Sequence, residues 1–475
     1  MGLSELLKNT FIPKAQSSKD TRICLVAEDS SATNYIVVDE IIDFKYKSSV
    51  DSFTLINITI PFEVSAYDLK DISKDAKIFQ DAKVKKKFNA FTDIFLPFSF
   101  RVVNVYYDNF KTYMLRGILL RSTPSVSEHG YVLNISISST VSTFNDACFY
   151  SYNNTYEFQR TTLKQITSKV MQSTVTFIPR EIATKYKFDK VAIEPTQTIF
   201  NFFTNIAKSE GILITDATYE IKSATGIPDS LVFHKIKKTL PTCYIREDEY
   251  PFISCSPSFN EQEFFAKVRC LVPVSTSTTT PTSSINPEIF DLDKDVVNKN
   301  PSATKTENNN NIQTKNKSGE YPLGKREAIS KAIAKNQAIK NANLDKHSSA
   351  LAYRIHIFKA EASKNKTINA YNEAKAKYGR MLANAVNYQL VVQGHKNPKT
   401  RELYKKGEII NVYAPHSAIM QSCDFVIKEL ELNRTVAGGD TATLTLALTD
   451  AYLDEINIDN LYANLPFFKN DVNLN

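Results

Sequence analysis

Runs in which apolar and polar residues alternate recur near both ends of the chain. In the segment 33–61, "TNYIVVDEIIDFKYKSSVDSFTLINITIP", Ile56 and Ile58 alternate with Asn57 and Thr59. A period of two residues predicts antiparallel strands with one buried and one solvated face. The pattern returns in "VNYQLVVQ" and in "CDFVIKELELNRTVAGGDTATLTLALTDAYL" near the C-terminus. The chain is therefore predicted to be mainly β.

Further strand signals follow in "FSFRVVNVYYDNFKTYMLRGILLRSTPSVSEHGYVLNISISS", where Asp108-Asn109 and Glu128-His129-Gly130 supply turns. Before them, the Lys-rich and Asp-rich piece 66–91 carries Leu69, Ile72 and other apolar residues at helical spacing. We interpret this piece as a helical insertion in a first β-barrel.

The pattern changes after Thr161, where two amphipathic helices are predicted in "TTLKQITSKVM" and "PTQTIFNFFTNIAKSEG". The second helix has Thr196 as a candidate N-cap and Gly211 just past its end. The stretches "ILITDATYEIKS" and "DSLVFHKIKK" then predict a hairpin. This order of elements predicts an α+β insert.

A polar, low-complexity region rich in Ser, Thr and Asn covers residues 275–323 and is expected to be locally mobile, because it has little apolar area to bury. A basic helix, "KREAISKAIAKNQAIKNA", is predicted after it. A strand in "LAYRIHIFKAE" and a helix in "KTINAYNEAKAKYGRMLANAV" then lead into the C-terminal strands.

These patterns predict a mainly β fold with an α+β insert and two related β-barrel domains. The predicted segments are an N-terminal extension 1–20, a first barrel 21–155 with the helical insertion 66–91, the insert 161–242, a second barrel 244–274 and 351–455, a linker with the basic helix 275–350, and a tail 456–475.

Composition narrows the classes of function. A chain of 475 residues is long enough for several domains, and 29 Phe and 23 Tyr with no Trp favour strands. A net charge of +7 without Arg clusters predicts no specific nucleic-acid binding. No apolar run is long enough to span a bilayer, and Leu6 stands where a myristoylation pattern needs Ser or Thr, so no membrane anchor is expected.

The residues that usually carry chemistry are scattered. The six cysteines lack the close spacing of zinc sites or disulfide scaffolds, so buried reduced thiols and folding in a reducing cytoplasm are expected; they are Cys24, Cys148, Cys243, Cys255, Cys270 and Cys423. The six histidines match no metal or catalytic motif; they are His129, His234, His347, His356, His395 and His416. We predict no enzyme activity, no catalytic residue, no metal site and no cofactor.

The C-terminal order "YQLVVQGHKN", "LYKKGEIINVYAP" and "CDFVIKELELNRTVAGGDTATLTLALTDAY" resembles the last β-domain of the baseplate hub proteins of contractile-tailed phages, the Mu-like hub and late-control family. Upstream, "EPTQTIFNFFTNIAKSEGILITDATYEI" is similar to that family's insert, and "RGILLRSTPSVSEHGYVLNISISSTVSTFNDACF" to the closing hairpin of its first barrel. Tyr353 and Arg354 match a further strand without its proline. The segments 66–91 and 275–350 have no counterpart in the family.

The resemblance implies a structural baseplate hub. Three copies would form a ring of approximate sixfold symmetry that joins the tail tube, or tube-initiator proteins, to a trimeric spike, with baseplate wedge proteins as further neighbours. Because little sequence follows Tyr452, a separate spike protein is expected. The protein would reside in the virion tail baseplate after assembly in the host cytoplasm.

Two other classes of function compete with the hub. A tandem β-domain that binds a receptor or carbohydrate would need exposed aromatic residues, which Tyr106, Tyr107, Tyr150 and Tyr152 could supply, although cross-strand packing also explains them. A peptidoglycan hydrolase would need a carboxylate pair or a metal site that the sequence does not display.

Overall fold

The fold is known from a computed structural model. It describes residues 23–28, 35–69, 85–108, 112–127, 130–151, 156–171, 175–179, 182, 187–209, 211–219, 230–263, 267–271, 320–322, 355–359, 366–435, 439–452 and 466. The predicted N-terminal extension and basic helix, and all of the predicted tail except Pro466, lie outside these residues.

The described residues of the first half of the chain include nine antiparallel strands. They are β1 (Cys24–Glu28), β2 (Tyr35–Val38), β3 (Asp43–Ser49), β4 (Ser52–Pro61), β5 (Glu63–Leu69), β6 (Lys86–Asn89), β7 (Val102–Tyr107), β8 (Thr112–Ser127) and β9 (Gly130–Ser139). Pairing runs β4-β9-β8-β7-β1-β2-β5, and only Phe62 separates β4 from β5. The path of paired strands therefore returns to the bent segment where it began, as in a barrel.

The second half repeats this architecture. Its strands are β15 (Tyr244–Arg246), β16 (Phe252–Phe259), β20 (Val386–Gln393), β21 (Ile409–Ala414), β22 (Ile419–Thr435) and β23 (Gly439–Leu448). Pairing runs β16-β20-β23-β22-β21-β15, so this path also returns to a neighbouring segment of the chain. β3 pairs with both β4 and β22, which joins the two halves into one continuous sheet.

Between the halves lies an α+β unit with its own core. It contains β10 (Glu157–Thr162), α1 (Leu163–Met171), β11 (Val175–Phe177), β12 (Lys187–Ala192), α2 (Ile199–Ser209), β13 (Leu213–Asp216) and β14 (Ser230–His234). β13 and β14 pair antiparallel, as predicted. Buried Phe202, Phe203 and Phe233 lie in a core separate from that of the large sheet.

The described residues between β16 and β20 include three short strands and a long helix. They are β17 (Lys267–Leu271), β18 (Glu320–Pro322), β19 (Ile355–Lys359) and α3 (Lys366–Ala385). Glu320–Pro322 pairs with β17, so this end of the predicted mobile region 275–323 is a strand, and the rest of that region lies outside the described residues. None of the helices in the described part of the chain has the length and apolar character needed to span a bilayer.

The mainly β architecture with an α+β insert is confirmed, while two local predictions are wrong. Residues 66–69 and 86–89 of the predicted helical insertion 66–91 lie in the paired strands β5 and β6, and residues 70–84 are not described. The first residues of that piece continue a strand because Val64 and Ala66 are buried at a period of two. The cap of α2 is Thr198 instead of Thr196, since the Thr198 hydroxyl accepts from the Asn201 N–H at 3.3 Å.

Candidate assembly interface

The hairpins β8–β9 and β22–β23 repeat each other in detail. In each, a strand of 16 or 17 residues pairs with a following strand of 10 residues. A bulge interrupts both ladders at the same place, between Leu119 and Arg121 in β8 and between Ile427 and Glu429 in β22. β9 pairs onward with β4 as β23 pairs with β20. The bulge therefore makes Arg121 the structural counterpart of Glu429.

The strand before each hairpin ends its pairing at the bulge. β7 covers only the first part of β8, and the Leu119 N–H then donates to the Arg101 carbonyl at 2.9 Å. In the second half, β21 covers the first part of β22, and Ile427 donates to the Glu408 carbonyl, also at 2.9 Å. The remaining part of each long strand is left with an edge that β7 or β21 does not cover.

Inside the chain, β3 fills the edge of β22. The ladder runs from Glu429 opposite Ser49 to Arg434 opposite Phe44. Two side-chain ion pairs also join these strands: Lys45 Nζ lies 2.8 Å from Glu431, and Lys47 Nζ lies 4.0 Å from Glu429. We call this pairing of β3 with the second part of β22 the internal seam.

The two matching edges, on β8 and on β16, have no such partner among the described residues. No described strand pairs with the outer edge of residues 120–127 of β8, the counterpart of the covered part of β22. Nor does one pair with the outer edge of β16, which pairs with β20 as β3 pairs with β4. Pro124 and Pro257 lie within these two strands. These two edges correspond to the two sides of the internal seam.

A buried ion pair sits beside the internal seam. Lys406, in the segment before β21, has its Nζ 3.0 Å from Asp216 Oδ1, and the two side chains are 2% and 0% exposed. Asp216 Oδ2 also accepts from the Thr54 N–H at 2.9 Å, and Lys406 donates to the Thr215 hydroxyl at 2.5 Å. The pair therefore ties together the second half, the insert and the β3–β4 hairpin.

The surroundings of this pair shift its pKa values. Burial pushes the pKa of Asp216 up, but the charge of Lys406 and hydrogen bonds from Thr54 and Lys406 outweigh it, so the pKa lies below the ordinary 3.8. His234 donates to the Val50 carbonyl at 3.2 Å. Burial first, and the charge of Lys406 second, lower the pKa of His234 to about 4. His234 is thus neutral at pH 7.

A second polar contact joins the halves near the end of β7. Nε2 of His395 donates to the Asn433 carbonyl at 2.8 Å, and Nδ1 accepts from the Tyr107 hydroxyl at 3.2 Å. Next to it, Lys396 Nζ lies 3.3 Å from Asp108. Burial lowers the pKa of His395 and keeps the ring neutral at pH 7. These contacts hold strand ends against the loop that faces them, so we assign them to the stability of the fold.

The candidate residues from the sequence do not converge. His234 and His395 are buried at different junctions, His356 is half-buried and His416 is exposed beside Glu247, while His129 and His347 are not described. Within the residues that the structure describes, no three His, Cys, Asp or Glu side chains lie close enough together to hold a metal ion.

The cysteines and tyrosines of interest are also dispersed. Cys24 and Cys243 are buried, Cys255 and Cys423 are half-buried, and Cys148 is exposed, contrary to the expectation of buried thiols; all five are free. Tyr107 is buried, Tyr106 packs on Tyr113, Tyr150 is exposed, and Tyr152 is not described. The three described tyrosines therefore do not form one exposed aromatic surface.

Sequence reasoning did not find Lys406 and Asp216. They lie 190 residues apart, and no local pattern links them. The glycine after Lys406, in "LYKKGEII", was the available signal, because a glycine before a strand often marks a left-handed backbone. Gly407 has φ of 75°.

Comparisons with known proteins support this fold. No protein-family model matches the chain, and a search of curated proteins finds no match. Among solved structures, the 43 kDa tail protein of prophage MuSo2 from Shewanella oneidensis is similar, with a TM-score of 0.57 and 15% identity over 91% of this chain and 99% of that one. The tail protein from Neisseria meningitidis MC58 has a TM-score of 0.57 and 10% identity, covering 91% of this chain and 98% of that one. The expected resemblance to phage tail proteins is confirmed at the level of the fold.

Proposed function

We propose that the chain is a structural baseplate hub of a phage tail or of a related contractile injection device. The observation that carries this is the internal seam together with its two separated counterparts. The outer edge of β8 in one copy would pair with the outer edge of β16 in the next, as β22 pairs with β3 inside the chain. Such a head-to-tail contact generates a closed ring when the rotation between copies closes.

The proposed ring contains three copies. Each copy contributes two similar halves, so a trimer presents six related units to a hexameric tail tube or to tube-initiator proteins and keeps a true threefold axis for a trimeric spike. The fold shared with prophage tail proteins supports this assignment. The predicted domain division belongs to the same proposal: the barrels 21–155 and 244–274 with 351–455 face the tube, and the insert 161–242 faces the spike.

The role is assembly without catalysis, in the virion tail baseplate. The buried Lys406–Asp216 pair and the His395 contact each join parts of one chain, so we propose that they hold the halves and the insert in fixed positions. The segment 275–350 is proposed to reach a tube or wedge neighbour.

A variant of β8 tests the seam. Pro124 lacks an N–H and is tolerated in β8, so its nitrogen faces the outer edge, and Val126 has the same orientation two residues along. Val126→Pro should therefore remove a hydrogen bond to the next copy and none within the chain. Val126→Ala is the matched control, because it removes the exposed side chain and keeps the N–H.

Native mass spectrometry and light scattering give the readout. We expect trimers for the natural chain and for Val126→Ala, and mostly monomers for Val126→Pro with an unchanged thermal midpoint of the monomer. Trimers of undiminished stability in Val126→Pro would show that β8 is not a ring edge. A natural chain that stays monomeric at high concentration would favour the receptor or carbohydrate-binding module.

A further inference from the structure

An exposed apolar loop lies beside the open edge of β8. In the segment Leu96–Phe100, the side chain of Phe98 is 93% exposed and that of Phe100 is 65% exposed. Both residues have positive φ, 63° for Phe98 and 46° for Phe100, a region that bulky residues rarely adopt. Strained backbone and exposed aromatic rings together indicate a loop shaped for a contact outside its own fold.

The second half contains the counterpart of this loop. Arg101 and Glu408 accept the equivalent hydrogen bonds at the two bulges, so Phe100 corresponds to Gly407. Gly407 has φ of 75°, so both positions are left-handed. The loop Leu96–Phe100 thus corresponds to residues 403–407.

The counterpart segment is packed against the insert and against Val50 of the neighbouring half. Leu403, Tyr404 and Lys406 are buried, and a Cβ at Gly407 would lie 3.9 Å from both Val50 and Ile236. Val50 follows β3, the strand that completes the internal seam, and donates to the Lys428 carbonyl at 3.0 Å. A segment in this position therefore lies beside the end of the strand that pairs with the adjacent long strand.

The strand that corresponds to β3 ends in an aromatic residue. Lys47 pairs with Leu55 as Ser258 pairs with Asn387, which places Phe259 at the position of Ser48. Ser48 lies at the edge of the buried polar junction, where its hydroxyl accepts from Thr54 at 3.3 Å. Phe259 is 46% exposed.

We propose that the loop Leu96–Phe100 of one copy packs on the next copy at the end of β16, around Phe259. This proposal rests on the proposed ring, and the partner of the loop is a second copy of the chain. An apolar contact suits a joint between copies, because it requires no charge to be desolvated when the copies associate. The internal counterpart instead buries Lys406, which needs Asp216 as its partner.

The double variant Phe98→Ser, Phe100→Gly tests the contact. Glycine at position 100 suits the left-handed backbone, so the fold of a single copy should be preserved. Tyr150→Ser is the matched control, since Tyr150 is 69% exposed and lies outside both the loop and the seam. Sedimentation equilibrium measures association, and urea unfolding of dilute monomer measures the fold.

We expect the double variant to weaken trimer association by about a hundredfold or more, because buried aromatic residues dominate interface energies. Tyr150→Ser should leave association within about twofold of the natural chain. If Val126→Pro dissociates the ring while the double variant associates as tightly as Tyr150→Ser, the ring stands and the loop contact is refuted. A monomeric natural chain overturns both proposals.

Discussion

Replacing Lys406 by Met should destabilise the chain strongly, because it leaves a buried carboxylate without its cation. The Asp216 side chain is 0% exposed and Lys406 Nζ is 3.0 Å from it. Removing one partner of a buried ion pair costs about 3–5 kcal/mol, since the remaining charge must stay desolvated or take up a proton. A drop of that size is a large fraction of a typical folding free energy.

The double variant Lys406→Met, Asp216→Leu should be less damaging than the single one. No charge is then buried, but the Thr54 N–H loses the acceptor that it has at 2.9 Å. An unsatisfied buried donor costs about 1–3 kcal/mol, which sets the expected loss for the double variant. This order, in which two substitutions cost less than one, distinguishes burial of charge from simple loss of packing.

Equilibrium urea unfolding of monomer at pH 7 measures these losses. Lys405→Met is the control, because the neighbouring Lys405 pairs with the exposed Glu402 and should contribute less than about 1 kcal/mol. In Lys406→Met the pKa of Asp216 should rise above 3.8, so its deficit relative to the natural chain should shrink as the pH falls toward 4. Equal losses for Lys405→Met and Lys406→Met would refute the reasoning.

Two further outcomes follow from buried contacts. His234 faces Lys406, Asp51 and the Val50 carbonyl, and its folded pKa of about 4 lies below the ordinary 6.5. The unfolded chain therefore binds more protons, and about 3 kcal/mol of stability should be lost as the pH falls from 6.5 to 4. His234→Gln should flatten that part of a plot of unfolding free energy against pH, and an unchanged slope would contradict the assignment. In α3, a Cβ at Gly379 would lie 2.2 Å from the Ala451 carbonyl oxygen. Gly379→Ala should cost about 1–3 kcal/mol by overpacking, despite its better helix propensity, and an unchanged thermal midpoint would show that the helix can shift.

Local patterns were enough to predict most individual strands and helices. The alternation in "VNYQLVVQ" matches β20, whose residues are buried at a period of two from Val386 to Val392, and the spacing of Tyr378 and Leu382 matches the buried face of α3. Gly211, predicted to follow a helix end, has φ of 66°. These features depend on neighbours within a few residues, which sequence periodicity records directly.

Pairings between distant segments could not be predicted in the same way. The internal seam joins Phe44 to Arg434, and nothing near either residue specifies the other. The helical interpretation is wrong at residues 66–69 for a related reason: β5 is selected by its pairing with β2, which overrides weak local spacing. The sequence predicts a strand from Phe98 onward, whereas β7 begins at Val102 and Leu96–Phe100 is a loop.

On the proposed ring, the contact of β8 with β16 between copies differs in chemistry from the internal seam. The internal seam carries Lys45 and Lys47 facing Glu431 and Glu429, pairs that are partly exposed and therefore contribute more to register than to stability. At the matching places, β16 has only serines, Ser256 and Ser258.

These charges would disfavour incorrect pairing of β3 of one copy with β8 of another. The counterpart of Glu429 in β8 is Arg121, so β3 of one copy placed on β8 of another would set Lys47 diagonally across from Arg121, within reach of a long side chain. Pro124 and Pro257 further remove ladder donors from the open edges, which discourages pairing by backbone alone. On the proposed ring, β8 and β16 of separate copies would join only when side-chain contacts, those of the loop Leu96–Phe100 included, add to an incomplete ladder, whereas the internal seam forms with the fold of each chain.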